Sequence, residues 1–185
     1  MAAQGASLMQ VWQDIAFFDD RLPDNSINNI KSAPNNSFDI FIAIGKNVVR
    51  QKLQDEFSLL GFNIVNIVHP SAIIANSAII GEGSLLAAGA IINPDTKVGR
   101  GCIINTGATV DHDCELKDFV HISPGVNLAG SVCVGNRSWA GIGSCVIENI
   151  IIGDDVIIGA GAVVISHVDN NKKVFGVPAI DGATK

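Results

Sequence analysis

From Val68 to Val164 an aliphatic residue recurs at every sixth position without a single insertion. Reading every sixth residue gives Val68, Ile74, Ile80, Leu86, Ile92, Val98, Ile104, Val110, Leu116, Ile122, Leu128, Val134, Ala140, Val146, Ile152, Ile158 and Val164; only Ala140 is not Val, Ile or Leu. Neither the 3.6-residue period of a helix nor the two-residue period of a strand requires this spacing. A fixed short period marks a solenoid, and a six-residue period marks a parallel β-helix. More than half of the 185 residues is thus one repeating device, and function has to be sought on its surface.

Two other hexad positions carry information. The fifth is small or β-branched from the start, at Ala72, Ala78, Ser84, Ala90, Thr96, Cys102, Ala108 and Cys114, which suits tight corners. The fourth carries Gly89, Gly107, Gly125, Gly143 and Gly161, each eighteen residues from the next. Three hexads make one triangular coil, so these five glycines form a column. They serve either corner geometry or a groove in which a ligand meets the backbone. Buried aliphatic side chains contribute roughly 1.5–3 kcal/mol each before entropy is counted. Stacked coils share these contacts, so the open ends need caps; residues 1–67 lie at one end and "KKVFGVPAI" (172–180) at the other.

Residues 1–67 are irregular. "DIAFFDD" (14–20) reads as a short strand ending in two carboxylates, and the Asn-, Ser- and Pro-rich 21–37 as loop. "FDIFIAIG" (38–45) reads as a strand covered on both faces. Val49, Leu53, Phe57 and Leu60 recur at helical spacing, with Gly61 at the helix end, and "FNIVNIV" (62–68) returns as a strand. Strand, helix and strand at this length make a βαβ unit with a right-handed crossover. The expected organisation is a small α/β, partial Rossmann-like domain (1–67), a β-helix (68–169) and a C-terminal cap and tail (170–185).

A net charge of −6 with no Lys/Arg cluster argues against nucleic acid as the partner. No stretch is long and apolar enough to span a bilayer, and the first residues lack the pattern of a secretory signal. Cys102, Cys114, Cys133 and Cys145 show no CxxC spacing, and no two are eighteen residues apart, so buried, reduced thiols in a cytoplasmic protein are expected. His112 and His121 lie nine residues apart, on different faces of the coil. The positions eighteen residues after them are Gly130 and Trp139, which gives no histidine column for zinc; no metal is expected.

His112 stands between Asp111 and Asp113. A histidine is the default general base near neutral pH, and a neighbouring carboxylate strengthens it by stabilising the imidazolium. His69 precedes a proline and His167 falls on the last coil, so structural or solvent-facing roles are expected for both.

The segments "FIAIG" (41–45), "HPSA" (69–72), "INTGATVDHDC" (104–114), "VHISPGVNLAGSV" (120–132) and "VFGVPA" (174–179) occur in order. Together they resemble the bacterial sugar acetyltransferase family of hexapeptide-repeat proteins, which includes nucleotide-amino-sugar N-acetyltransferases and the sialic acid O-acetyltransferase group. The resemblance covers roughly residues 14–180. It implies a mainly β fold, a left-handed parallel β-helix with a small N-terminal α/β domain, and a homotrimer with acetyl-CoA between subunits. It also implies that His112 is the general base, that Asp113 raises its basicity, and that the Gly130 N–H faces the reacting thioester carbonyl. His121 and the backbone at Ile142 and Ala160 match coenzyme contacts. Spacing agrees on one point: Gly130 is His112 plus eighteen, one coil away.

Family members usually open with a strand, a G-x-x-G-H-G loop and a helix, which meet the phosphates and base of the nucleotide sugar. This chain opens "MAAQGASLMQVWQDIAFFDD", where Gly5-Ala6-Ser7 answers to the start of that loop and nothing answers to the rest. The N-terminal domain therefore reads as truncated or diverged. Asp19 and Asp20 match carboxylates that contact the nucleotide, and Ile180 stands where lysine is common.

The resemblance leads to an acetyl-CoA-dependent N-acetyltransferase acting on an amino group of a nucleotide-linked amino sugar in surface-glycan synthesis. An O-acetyltransferase of a sialic-acid-like sugar is the alternative, because amine and hydroxyl acceptors need the same base. A catalytically inactive β-helical assembly protein is the reading from another class.

Overall fold

A computed structural model describes residues 2–19, 27–31 and 38–182. Its main body is a left-handed parallel β-helix. Seventeen two-residue strands, β3 (Ile67–Val68) through β19 (Val163–Val164), fall one to each hexad. From β3 to β16 each strand lies parallel to the strand eighteen residues on, as in Thr109↔Asn127 and Val110↔Leu128. The strands therefore stack into three sheets around a triangular coil. The first sheet contains β3 and takes six of the seventeen, the second follows it along the coil with six, and the third has five.

The second residue of each strand points inward. Leu86, Ile104, Val110 and Ile122 are wholly buried, and the lapse at Ala140 is buried too. Fifth-position residues close the corners by a shared device. Ser84 Oγ donates to the Gly99 carbonyl, Thr96 Oγ1 to Asp111 at 2.7 Å and Ser138 Oγ to Gly153 at 2.6 Å, each fifteen residues on. The thiols of Cys102 and Cys114 follow the same offset, to Lys117 and Ala129. Burial pushes these thiols up to about 12 and about 11. All four cysteines are free, but Cys133 and Cys145 are only half-buried. They are the first, outward residues of their strands, which corrects the expectation that all four are buried.

The glycine column answers to corner geometry. Gly89, Gly107, Gly125, Gly143 and Gly161 all have φ between 63° and 69°, and a side chain at the last four would meet nothing within 4 Å. The left-handed backbone, not crowding, favours glycine there.

At the far end β20 (Lys173–Phe175) extends the first sheet, and β21 (Ile180–Asp181) pairs with it antiparallel. The expected C-terminal cap is therefore a hairpin that closes the ladder.

In the small domain β1 (Asp39–Ile40) pairs parallel with β2 (Asn63–Ile64) across helix α3 (Asn47–Leu59), the expected βαβ unit. Gly61 follows the helix with φ 81°. Ile30, from the short helix α2 (Ile27–Lys31), joins Ile40, Ile42, Phe57, Phe62 and Ile64 in a core. Three details differ from expectation. The run 62–68 is two strands, because Ile64 pairs back to Ile40 while Ile67 already belongs to the first coil. Residues 14–19 form no strand and join none of the sheets. Gly5-Ala6-Ser7 is not a loop but lies within helix α1 (Ala2–Met9), whose Ala, Gln, Leu and Met favour helix. Helix α1 packs Ala6 and Met9 on Ile67, Leu85 and Ile103, the outer face of the first sheet. A Cβ on Gly5 would sit 2.9 Å from Ile67, so the glycine there permits close approach.

The face of α3 also needs correction. Phe57 is buried as expected, but Val49 and Leu60 are exposed, while Arg50 and Gln54 are wholly buried. The helix is covered on two sides, by its own sheet and by a corner of the β-helix, and its polar residues face the corner.

The glycine column can be probed directly. Gly143→Ala is expected to cost about 1 kcal/mol, because a left-handed φ is imposed on a side chain that has room. The shift of the urea midpoint at unchanged m-value measures it.

Candidate active site

His112 sits at the corner after strand β10 (Thr109–Val110). Its backbone N–H donates to Asp111 Oδ1 at 2.8 Å, and the same oxygen accepts from Asn93 Nδ2 at 2.8 Å. The imidazole Nδ1 lies 2.8 Å from Asp113 Oδ2. Asp113 has φ 58° and is anchored by its N–H to the Pro94 carbonyl, a turn that lets a side chain one residue away reach the ring. The bond to Asp113 first, and the charge of Asp111 second, raise the histidine above its ordinary pKa. In the neutral tautomer Nδ1–H donates to Asp113 and Nε2 offers its lone pair outward. The side chain is 58% exposed, so a ligand can reach it.

The ring lies over Gly130. A Cβ there would fall 2.7 Å from His112 Cε1 and 2.8 Å from Nε2, so a side chain and this ring position exclude each other. The Gly130 carbonyl accepts from Asn149 N–H at 3.0 Å, while its own N–H has no acceptor among the described residues. At another corner the same turn position is capped by a side chain of the next coil. The N–H of Arg100 is capped by Asp118, that of Asp118 by Asn136 and that of Asn136 by Asp154. Ile142 and Ala160, one coil apart, share the uncapped state of Gly130. The N–H groups of Glu82, Ala88 and Glu148, at the same turn position, are uncapped among the described residues as well.

His121 begins β12 (His121–Ile122) and lies on the outer face of the first sheet. The chain does not bring it beside His112, which stands at the corner between the second and third sheets. The His121 ring stacks on Trp139, with centroids 5.7 Å apart and planes 13° from parallel. Trp139 Nε1 donates to Ser123 Oγ at 2.7 Å, and Asn105 Nδ2 approaches His121 Nε2 at 3.4 Å. Burial, followed by the charge of Arg50, pushes His121 down to about 4, so the ring is neutral near pH 7. Trp139 and Arg50 were not among the residues singled out by sequence; Arg50 left a trace as a charged residue inside a helix facing a corner. Asp19 is half-buried at the end of the irregular 14–19 segment, and Asp20 lies outside the described residues. His69 Nδ1 bonds Ser71 Oγ and His167 Nδ1 accepts from Ile151 N–H, both local structural contacts.

The whole chain is similar to the acetyltransferase domain of PglB from Neisseria gonorrhoeae FA1090, at 36% identity and TM-score 0.93 over 97% of this chain and 92% of that one. This chain belongs to the sugar acetyltransferase family. PerB from Caulobacter crescentus, solved with CoA and GDP-perosamine, is 45% identical with TM-score 0.77 over 77% of this chain and 69% of that one. The GDP-perosamine N-acetyltransferase of Escherichia coli O157:H7 is 29% identical over 155 residues, 80% of this chain and 70% of the relative. Residues 1–57 match the family described as PglD N-terminal domain. The small domain of this sugar acetyltransferase is therefore recognisable although its G-x-x-G-H-G loop is missing from the sequence.

The depressed His121 pKa has a consequence for stability. An unfolded histidine takes its proton near 6.5 and the folded one near 4. Between these values the unfolded state binds more protons, so stability falls as pH drops from about 6.5 towards about 4. In His121→Gln this part of the decline is expected to vanish, read as a flatter dependence of melting temperature on pH.

Proposed function

We propose that this chain transfers the acetyl group of acetyl-CoA to the amino group of a nucleotide-linked amino sugar. The observation that carries the reading is the His112 imidazole, held by Asp113 with Nε2 outward and packed on Gly130, whose N–H is open. Acetyl-CoA is a substrate here; it brings an activated acetyl group and a thiolate that leaves without help from a protein nucleophile. The buried Cys114 thiol is held neutral and plays no covalent part.

The residues divide the labour as the chemistry requires. A neutral amine attacks the thioester carbonyl, and His112 Nε2 takes the proton the nitrogen must lose. Asp113 fixes the tautomer and stabilises the imidazolium. The Gly130 N–H donates to the oxyanion of the tetrahedral adduct, and collapse expels the thiolate, to which the imidazolium returns the proton. His121 and the open amides of Ile142 and Ala160 contact the coenzyme. The complexes solved for relatives support this reading: PerB was solved with CoA and GDP-perosamine, and the PglB domain with acetyl coenzyme A. Asp19 and Asp20, in the part of the chain matching the PglD N-terminal domain, contact the nucleotide sugar.

We infer further that the working form is a homotrimer, with each site completed by a neighbouring subunit. The openness of the His112 corner supports this, as do Ile73, Ile79, Ile142 and Ile151, which stand more than half exposed on the β-helix. Sedimentation equilibrium tests the trimer. A cytoplasmic setting fits the four free thiols and the substrates; among the described residues no helix is long and apolar enough to cross a membrane.

The test is release of free thiol from acetyl-CoA in the presence of a panel of nucleotide-amino-sugars, with hydroxyl-only sugars as controls. Thiol release with the hydroxyl sugars alone would refute amine transfer. His112→Ala is expected to lower turnover about 10²–10⁴-fold without changing the fold. Because His112 acts only when neutral, kcat/KM falls as pH drops through its raised pKa. Asp113→Asn removes the main cause of the rise and is expected to move this acid limb to lower pH while lowering the plateau.

A further inference from the structure

The seam between the two parts of the chain is organised by one buried cation. Arg50 is wholly buried, and no carboxylate pairs with it among the described residues. Its guanidinium donates instead to neutral oxygens: Nε to the Gly101 carbonyl at 2.6 Å, Nη1 to Ile44 and Gly45 at 2.9 and 3.1 Å, and Nη2 to Phe119 and Asn47 Oδ1, both at 2.9 Å. Burial lowers its pKa to about 10, yet it stays charged at neutral pH. A buried charge without a counterion is costly, and an apolar residue of similar size would fill the same space more cheaply.

The arrangement of acceptors explains what the cation does. Gly101, Phe119 and Arg137 are eighteen residues apart, one on each of three successive coils at one corner. Arg50 reads the first two carbonyls, and Asn47 Nδ2 donates to the third at 2.7 Å. Gln54 Nε2 reaches Glu82 one coil earlier, at 3.2 Å. Asn47, Arg50 and Gln54 lie on one face of α3, where a helical turn of about 5.4 Å runs against strands spaced about 4.8 Å apart. The helix is thereby seated on the β-helix coil by coil, and the guanidinium also grips the chain before it, at Ile44 and Gly45. That loop comes beside His121: Asn47 Nδ2 also approaches the Ser138 carbonyl at 3.4 Å, which accepts from the His121 N–H at 3.0 Å, and the ring feels the Gly45 carbonyl and the Arg50 charge. Asn105 and Trp139 hold the ring from neighbouring coils, Ser123 anchors Trp139, and the charged group that bears on the ring is Arg50.

We propose that Arg50 is a positioning residue: by tying the 44–47 loop of the small domain to the corner carbonyls of Gly101 and Phe119, it holds the Gly45 carbonyl against His121 and sets the orientation of the ring that meets the coenzyme. This rests on the reading that His121 contacts the coenzyme. The small domain, through Arg50, therefore governs the donor side of the reaction as well as the acceptor side.

The experiment uses Arg50→Lys, which keeps a charge but loses the planar fork, the milder Asn47→Ala, and Gln54→Ala as a comparator that loosens the same seam without touching the loop. Coenzyme A affinity is measured by calorimetry, and the imidazole ring of His121 is followed by ¹⁵N-edited NMR, assigned with His121→Gln. Arg50→Lys is expected to shift the His121 resonances and weaken coenzyme A about ten- to a hundredfold. The acid limb set by His112 stays in place. Asn47→Ala moves the same readouts less, and carries the test if Arg50→Lys does not fold. Gln54→Ala lowers the melting temperature but leaves both His121 and coenzyme A affinity unchanged. Unchanged His121 resonances in a folded variant, or an equal loss in Gln54→Ala, would overturn the proposal. If His121→Gln binds coenzyme A as the wild type does, the coenzyme reading fails, while the NMR shift still judges the role of Arg50.

Discussion

The constraint on which everything else rests is the equality of coil and repeat: eighteen residues per turn, three strands, and no insertion from Ile67 to Val164. Every strand can then pair with the strand one turn away, so the backbone polar groups of a chain with only two-residue strands are satisfied. The same equality turns sequence offsets into spatial columns. An offset of eighteen stacks residues, as in Gly143 over Gly125, and an offset of fifteen brings a corner hydroxyl or thiol to a carbonyl.

The candidate site lies where these columns leave backbone groups uncovered. Asp118, Asn136 and Asp154 cap the turn amides of the preceding coil at one corner, whereas the amides of Gly130, Ile142 and Ala160 are open. A capped amide cannot meet a ligand; an open one can. The His112 ring needs the absence of a side chain at Gly130, and it needs the tight turn that brings Asp113 back to Nδ1. The pairing of the His112 ring with Gly130 therefore arises from one residue choice in each of two adjacent coils, with no departure from the regular backbone.

The small domain is attached by matching one periodic object to another. A helix presents a residue every turn and the corner presents a carbonyl every coil, and Asn47, Arg50 and Gln54 exploit the near agreement of the two spacings. The seam is polar, so it relies on direction more than on area. This suits a junction that must hold the loop at Gly45 against His121.

Much of this was legible in the residues. The hexad register named every inward side chain of the β-helix, the glycine column and the partnership of His112 with Gly130, because a fixed period leaves the chain no freedom to place them otherwise. The family motifs pointed to His121, Ile142 and Ala160. The βαβ unit was readable as well, since helix and strand periods differ. Elsewhere the pattern misled: α3 carries apolar residues at helical spacing, yet buries Arg50 and Gln54, because a second surface covers the side that a solvated helix leaves polar. Helix α1 went unread, since eight residues with one glycine give little periodic signal. Sequence by itself determined the coil, its columns and the stacking of His112 on Gly130, all of which follow from local spacing. Tertiary structure alone decided which polar residue is buried, which amides are left open and which loop meets His121, because these depend on contacts between segments whose separation no repeat dictates.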